Sequence, residues 1–303
     1  MLKEKLERIT SWEAPALKED MPHGDMPGDK IRIGEEHIQK AVKIFPALLE
    51  ALKEYGDRDK VVLSVFGGSG VGKSEIASLL AYYLNECGIK SYVLSGDNYP
   101  RRIPLYNDAE RLSIFRSEGL KGLVASGEYT PEVQKELDTL WANESDPEPL
   151  KVQEYPWLSY YQKAGREALS NYLGTPKEQD YEQLNAILEA FKNGQEKVYL
   201  KRMGRSEEER WYDAIDFSDT DVLIIEWTHG GNKDLHGVDI PILLNSTPEE
   251  TMEHRRLRAR DGKTDSAFTT MVLEIEQAEL MERARTAKII LSKSGDFLDP
   301  ETF

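Results

Sequence analysis

Cysteine is nearly missing from this chain. Cys87 is the sole one in 303 residues, so no intrachain disulfide can form, which fits a reducing compartment. Cys87 falls just before Gly88, where a packed helix-end residue is the expected role. Long apolar runs are missing too: none approaches the roughly 20 residues that cross a bilayer as a helix. The first residues, MLKEKLERITSWEAP, are charged and hold no apolar stretch of the kind a secretory signal needs. Positive charge is scarce, with 39 Lys and Arg against 55 Asp and Glu, a net charge of −16. That balance makes nucleic acid and anionic membrane poor bulk partners, and any local basic cluster stands out against it. No internal repeat or low-complexity block is visible. A soluble, cytoplasmic protein is expected, and homo-oligomerisation is left open. Hydrophobic residues, at 39%, suffice to bury the core of one large domain with additions.

What is present is concentrated between Val61 and Ser74, VVLSVFGGSGVGKS. An apolar, β-branched run meets Gly67, then four residues, then Gly72-Lys73-Ser74, which is the P-loop pattern in its strand-then-helix setting. Backbone N–H groups of Gly67, Gly68, Ser69, Gly70, Val71 and Gly72 would hold the oxygens of a polyphosphate. The helix starting there adds its positive end. Lys73 would reach the β- and γ-phosphates, and the Ser74 hydroxyl would hold Mg²⁺. The plainer alternative is a glycine-rich turn without a ligand; the strand before it and the helix after it, Glu75 to Leu84, speak against that.

Residues 12–34, with several Pro and Gly among charges, are expected as a loop or extended arm. Ile38, Val42, Phe45, Leu49 and Leu52 recur at helical spacing, predicting an amphipathic helix over 35–55 that packs on the nucleotide domain. Four more buried strands are predicted at Ser91–Ser95, Asp221–Ile225, Ile240–Leu244 and Lys288–Leu291. With the first they define the fold class: α/β, a P-loop NTPase three-layer α/β/α with a mainly parallel five-stranded sheet, an N-terminal helical arm and a large helical insertion. The expected domains are an arm and helix over 1–58 and a P-loop domain over 59–303. The latter carries an insertion at 97–210 on the acceptor side, with helices near Asn107–Ser126 and Lys177–Asn193, and a lid at 247–270.

Ligands of such sheets gather at the carboxyl ends of the strands. After the second strand stands Asp97, a base for an attacking hydroxyl or a ligand of Mg²⁺ through water, with turn capping as the structural alternative. Asn98, Tyr99, Arg101, Arg102 and Arg202 are candidates for contact with a substrate, the arginines as anion holders or as solvated charges. Together with Lys201 and Arg205 they weakly favour an anionic acceptor. After the third strand, Glu226 fits Mg²⁺ coordination, and His229 is a further substrate candidate or a surface-loop histidine. Thr247 to Glu250 reads as a capping box opening a helix, which delivers Arg255, Arg256, Arg258 and Arg260. These make either a solvated helix or a mobile lid closing over phosphates; Arg256 and Arg260 share one face. The aromatic run Tyr155 to Tyr161 is expected to pack the insertion or an oligomer contact, with acceptor stacking the sharper alternative.

GGSGVGKS, the aspartate in SGDNYP, the strand DVLIIE ending in glutamate, and HRRLRARD together resemble the uridine kinase/phosphoribulokinase/pantothenate kinase group of P-loop kinases. The resemblance covers about 61–100 and 220–292. It implies ATP, Mg²⁺ and phosphoryl transfer to a hydroxyl of a small molecule. Lys73 would then contact phosphate, Ser74 and Glu226 would hold Mg²⁺, Asp97 would be the base, and Arg256 and Arg260 would be lid residues. Two positions depart from the group: Trp227 stands where glycine is usual, which would reshape the acceptor pocket, and Glu75 stands where Ser or Thr is usual. The expected activity is an ATP-dependent small-molecule kinase acting on a sugar, sugar phosphate, nucleoside or pantothenate-like alcohol. A nucleotide-dependent switch or assembly ATPase without a small acceptor, and a module that binds nucleotide without turnover, are the rivals.

Overall fold

Short runs of Val, Ile and Leu without polar alternation suit strands covered on both faces. The computed structural model, which describes residues 2–18, 20–253 and 266–303, places five of them side by side. In chain order the strands are β1 (Val61–Gly67), β2 (Ser91–Ser95), β3 (Lys197–Met203), β4 (Arg210–Asp216), β5 (Val222–Glu226), β6 (Ile240–Leu244) and β7 (Ile289–Leu291). The helices are α1 (Leu2–Glu7), α2 (Glu35–Lys53), α3 (Lys73–Glu86), α4 (Pro104–Ser126), α5 (Pro131–Ala142), α6 (Leu158–Ser170), α7 (Tyr181–Lys192) and α8 (Ala267–Arg283).

The main sheet runs β2-β5-β1-β6-β7, and every neighbouring pair in it is parallel. This is the expected parallel five-stranded α/β architecture. Successive residues of a strand face opposite sides. Val61, Leu63 and Val65 accordingly pack with α2 and α3, whereas Val62 joins Leu223, Ile225 and the apolar face of α7. Register aligns the carboxyl ends: Val65 and Ser95 both lie opposite Glu226. The P-loop, the turn after β2 and the end of β5 therefore share one edge.

The insertion is richer than expected. Between α4 and α7 lie α5 and α6, and the segment closes with an antiparallel hairpin, β3 and β4. The hairpin was missed because its strands are charged and expose alternate residues, with Val198 and Leu200 buried and Tyr199 exposed between them. Helix α6 was missed because its buried stripe, Leu158, Tyr161, Gly165 and Leu169, begins inside the aromatic run. That run packs the insertion: Tyr161 lies edge-on to Phe115 at 5.4 Å and donates to Asp146 at 2.9 Å.

The described residues of 12–34 have no regular secondary structure, as expected, and two of them bond to α3. Tyr82 Oη donates to Ala16 O at 2.6 Å, and Ser78 Oγ donates to Pro22 O. Cys87 caps the end of α3 and is half-buried. No helix among the described residues is long and apolar enough to cross a membrane. Arg255, Arg256, Arg258 and Arg260, for which a lid is one of the two expectations, lie outside the described residues. The capping box before them is present: Thr247 N donates to Glu250 Oε2 at 2.8 Å, and Glu250 N to Thr247 Oγ1 at 3.3 Å.

Candidate active site

The loop after β1 needs its glycines for two physical reasons. At Gly67, with φ +152°, an added Cβ would lie 2.5 Å from Leu244 O. Gly72 has φ +95° and caps the 14-residue helix α3, a left-handed conformation that other residues resist. The result is a bare backbone concavity at a helix N-terminus, the geometry that receives phosphate oxygens. An added Cβ on Gly72 would also meet His37 at 2.9 Å, so the start of α2 walls one side of the loop.

Beneath the loop is a cluster of oxygen groups. Ser74 Oγ donates to Glu226 Oε2 at 3.1 Å, and Ser95 Oγ to Glu226 Oε1 at 2.7 Å. Glu226 is 3% exposed. Burial, then the nearby Asp97 carboxylate, push its carboxyl up to about 8, while the two hydroxyls and Lys73 oppose this. Lys73 Nζ donates to Gly68 O at 3.0 Å. A buried carboxylate, a second acid and a hydroxyl form a hard-oxygen set that suits Mg²⁺, an ion that takes one or two protein carboxylates and completes its shell with water and phosphate. The set holds neither His nor Cys, the usual ligands of a structural zinc site, so its donor chemistry fits Mg²⁺ better; among the described residues no group of three or more His, Cys, Asp and Glu is placed to hold a metal ion.

Asp97 is exposed in a 3₁₀ turn, Gly96–Asn98, directly after β2. The turn is possible because Gly96 has no side chain: a Cβ there would lie 2.1 Å from Trp227 Cγ. Trp227 itself is 2% exposed and packs on Tyr181 at 5.4 Å and His229 at 5.1 Å. The bulky residue after Glu226 therefore supports the Asp97 turn from behind.

The structure thus brings Gly67 to Ser74, Asp97 and Glu226 together. Three sequence expectations are corrected. Asn98 is fully buried and structural: its amide donates to Asp25 Oδ1 at 3.0 Å, and its carbonyl oxygen accepts from Met203 N at 3.0 Å. Tyr99 is fully buried in the apolar cluster between the sheet and α7. Arg202 is buried and committed to carboxylates, Asp25 at 2.8 Å and Asp213 at 3.0 Å. Arg101 and Arg102 instead line a groove of about 540 Å³ with Tyr106, Glu110 and Arg210. Arg101 donates to Pro176 O, and Arg102 pairs with Glu110 at 3.3 Å.

A polar group joining α4, the 174–180 segment and α8 was not anticipated. Arg111 Nε pairs with Glu178 at 2.6 Å, and its Nη2 lies 3.6 Å from Glu276. Glu276 is pushed up chiefly by burial; Arg111 and Lys73 oppose the shift, and Glu178 and Asp97 add to it. Its neighbour Gln277 reaches the P-loop, with Oε1 3.5 Å from where a Cβ on Gly68 would lie. No local pattern marks these residues, because α4, the 174–180 segment and α8 are far apart in sequence.

His229 is buried, not a surface-loop residue. Burial pulls its pKa down to about 4; Glu178 opposes this, and Arg283, Arg111 and Lys73 reinforce it. The folded state therefore binds fewer protons than the unfolded chain between about pH 6.5 and 4, and stability falls as pH drops through that window. The expected loss is on the order of 3 kcal/mol. Urea midpoints at pH 7 and 5 check this: His229→Asn should show a smaller pH dependence than the wild type.

Over 251 residues, 82% of this chain, the sequence is 36% identical to the bifunctional α-galactosidase/sucrose kinase AgaSK of Mediterraneibacter gnavus. The chain spans 22% of that relative's length. Solved structures similar to it include a D-glycerate 3-kinase from Cryptococcus neoformans var. grubii serotype A, with 13% identity and a TM-score of 0.48, covering 88% of this chain and 99% of that one. A possible uridine kinase from Bacillus stearothermophilus has 16% identity and a TM-score of 0.36, covering 80% of this chain and 98% of that one. No family model matches the chain.

Proposed function

We propose that this chain is a kinase that transfers the γ-phosphoryl group of ATP, bound with Mg²⁺, to a hydroxyl of a sugar. The observation that carries the reading is the Ser74–Glu226 hydrogen bond at 3.1 Å, which joins the P-loop to the acidic end of β5 beside Asp97. A P-loop is a polyphosphate cradle, whereas glycoside hydrolysis relies on a pair of carboxylates flanking the scissile bond. The similarity to AgaSK is therefore attributed to the kinase half of its two activities.

Bound together, Mg²⁺ and ATP supply the transferable phosphoryl group and neutralise its charge. The residues of this chain do the rest. The loop 67–72 would orient the phosphates through backbone N–H groups, and Lys73 would stabilise charge on the transferring group. Ser74 and Glu226 would hold the metal. Asp97 would orient an acceptor hydroxyl and take its proton as the oxygen attacks. Arg256 and Arg260 are proposed as lid residues.

The acceptor is inferred to be neutral and rich in hydroxyls. Arg202 is neutralised by Asp25 and Asp213, and Arg111 by Glu178 and Glu276. Of the cations that favoured an anionic acceptor, Arg202 is thus spoken for and Arg102 pairs with Glu110, which weakens that expectation. Alternating carboxylates and arginine, as at Glu276 and Arg111, suit sugar hydroxyls, each of which donates and accepts.

The test is ADP release from ATP and Mg²⁺ against sucrose, other di- and monosaccharides, sugar phosphates, nucleosides and pantothenate. Stimulation by a neutral sugar is expected, falling by about 10²–10³-fold in Lys73→Ala. Slow release indifferent to every acceptor would favour a nucleotide-dependent switch, and stimulation only by a phosphorylated acceptor would overturn the neutral assignment.

A further inference from the structure

The N-terminal arm reaches the site through one side chain. Asp25 belongs to neither the P-loop nor a strand end, yet its carboxylate is 8% exposed and ties four elements together. Oδ1 accepts from Ser95 N at 2.8 Å and from Asn98 Nδ2 at 3.0 Å. Oδ2 accepts from Tyr92 Oη at 3.0 Å and from Arg202 Nη1 at 2.8 Å. Arg202 extends the network to Asp213 on β4 at 3.0 Å, and Asn98 extends it to Met203 N on β3.

The two residues held by Oδ1 bracket Gly96-Asp97. Ser95 is also the residue whose hydroxyl donates to Glu226 Oε1 at 2.7 Å. Adjacent Gly24 presses its backbone on the same carboxylate: an added Cβ would lie 3.2 Å from Glu226 Oε1. A three-residue turn has too few backbone hydrogen bonds to fix itself. Trp227 blocks its collapse from behind, and Asp25 pins both of its ends from the arm side.

We propose that Asp25 is a positioning residue for phosphoryl transfer: by anchoring Ser95 and Asn98 it sets the orientation of Asp97, so the N-terminal arm is part of the catalytic apparatus. This rests on the kinase reading above. The inference predicts a particular division of effects. The P-loop is built by β1 and α3, and Asp25 connects to it through Ser95 and Glu226 and not directly, so nucleotide binding should depend on it less than turnover does. Turnover depends on Asp97 lying in line with the acceptor, and a displacement of about 1 Å can cost a hundredfold.

The experiment compares wild type, Asp25→Asn, Asp25→Ala, Asp97→Asn and the double variant Asp25→Ala/Asp97→Asn, with the sugar acceptor identified from the panel. Asp25→Ala should lower kcat by about 10–100-fold with KM for ATP changed less than threefold. Asp25→Asn, which keeps an oxygen acceptor but loses the ion pair, should fall between. Added to Asp97→Asn, the Asp25 change should cost much less than it does alone, because most of its effect passes through the group already removed.

Hydrogen exchange followed by mass spectrometry supplies an arm that needs no turnover. In Asp25→Ala, peptides covering 95–99 should exchange faster, while those covering 67–74 stay unchanged. Unaltered exchange at 95–99, or a kcat within twofold of wild type in the folded variant, would overturn the inference. So would parallel loss of ATP affinity, which would mark Asp25 as a general structural residue. A wild type without transfer to any acceptor would instead sink the kinase reading, and the exchange arm would still decide whether Asp25 anchors the turn.

Discussion

Asp97→Asn is expected to lower kcat by about 10²–10⁴-fold, the range over which a positioned acid or base contributes, while ATP binding stays within a few fold. The substitution is nearly isosteric, and the turn it occupies is held by Gly96, Trp227 and the bonds to Ser95 and Asn98. Structure should therefore be retained, and the loss should report chemistry. A second readout separates the two roles assigned to Asp97. Its negative charge is the second-largest cause, after burial, of the raised Glu226 carboxyl, which stands near 8. Removing that charge favours the ionised form of Glu226 at neutral pH, making it a better cation ligand. If Asp97 is solely the base, the Mg²⁺ concentration giving half-maximal rate at pH 7 should fall or stay constant. If Asp97 holds the metal directly, that concentration should rise. Initial rates over a Mg²⁺ series, with calorimetric ATP binding alongside, give the answer.

The legibility of this molecule followed sequence distance. The P-loop and its strand are contiguous, so Gly67 to Ser74 could be read from spacing alone, and the structure shows the φ angles that require Gly67 and Gly72. The buried strands were equally legible, since VLIIE and IPILL need no partner information to look buried. Glu226 and Asp97 followed from the rule that function collects at strand ends. What failed was whatever depends on a partner far along the chain. Asn98 and Tyr99 stand beside Asp97 in sequence and looked like substrate residues, but one belongs to the Asp25 network and the other to the core. Arg202 looked like a free cation because its two acids lie on the arm and on an unpredicted strand. Asp25 itself is one of 55 acidic residues, and nothing near it in sequence signals burial. Trp227 was legible as an oddity, but its use was not: only the structure pairs its bulk with the missing side chain of Gly96.

The largest expected effect on stability comes from Arg111→Met. Glu178 is fully buried. Burial alone would push its carboxyl up, yet Arg111 and the Gly174 N–H hold it below the usual carboxylate range. Arg111 supplies the closest contact, 2.6 Å from Nε; Asn107 Nδ2 at 3.1 Å and Gly174 N at 2.7 Å supply the others. Removing the cation leaves a buried charge without its counterion, which costs about 3–5 kcal/mol. Adding Glu178→Gln to Arg111→Met should recover part of that loss, because the second charge goes with the first: the amide oxygen can take the place of Oε2 and accept from Gly174 N, while the NH2 group then faces Asn107 Nδ2, which loses its acceptor. Urea denaturation of the single and double variants measures the difference; equal destabilisation would show that the arginine acts through packing instead. The consequence reaches the site. The segment bearing Glu178 is hydrogen-bonded to the chain just past Asp97, with Arg101 N donating to Glu178 O at 2.9 Å and Asp180 N to Tyr99 O at 2.8 Å. Arg111 also approaches Glu276, whose neighbour Gln277 reaches Gly68 of the P-loop. A double variant that regains stability but not turnover would therefore place the Arg111 charge in acceptor recognition, whereas recovery of both would confine it to holding the insertion against the sheet.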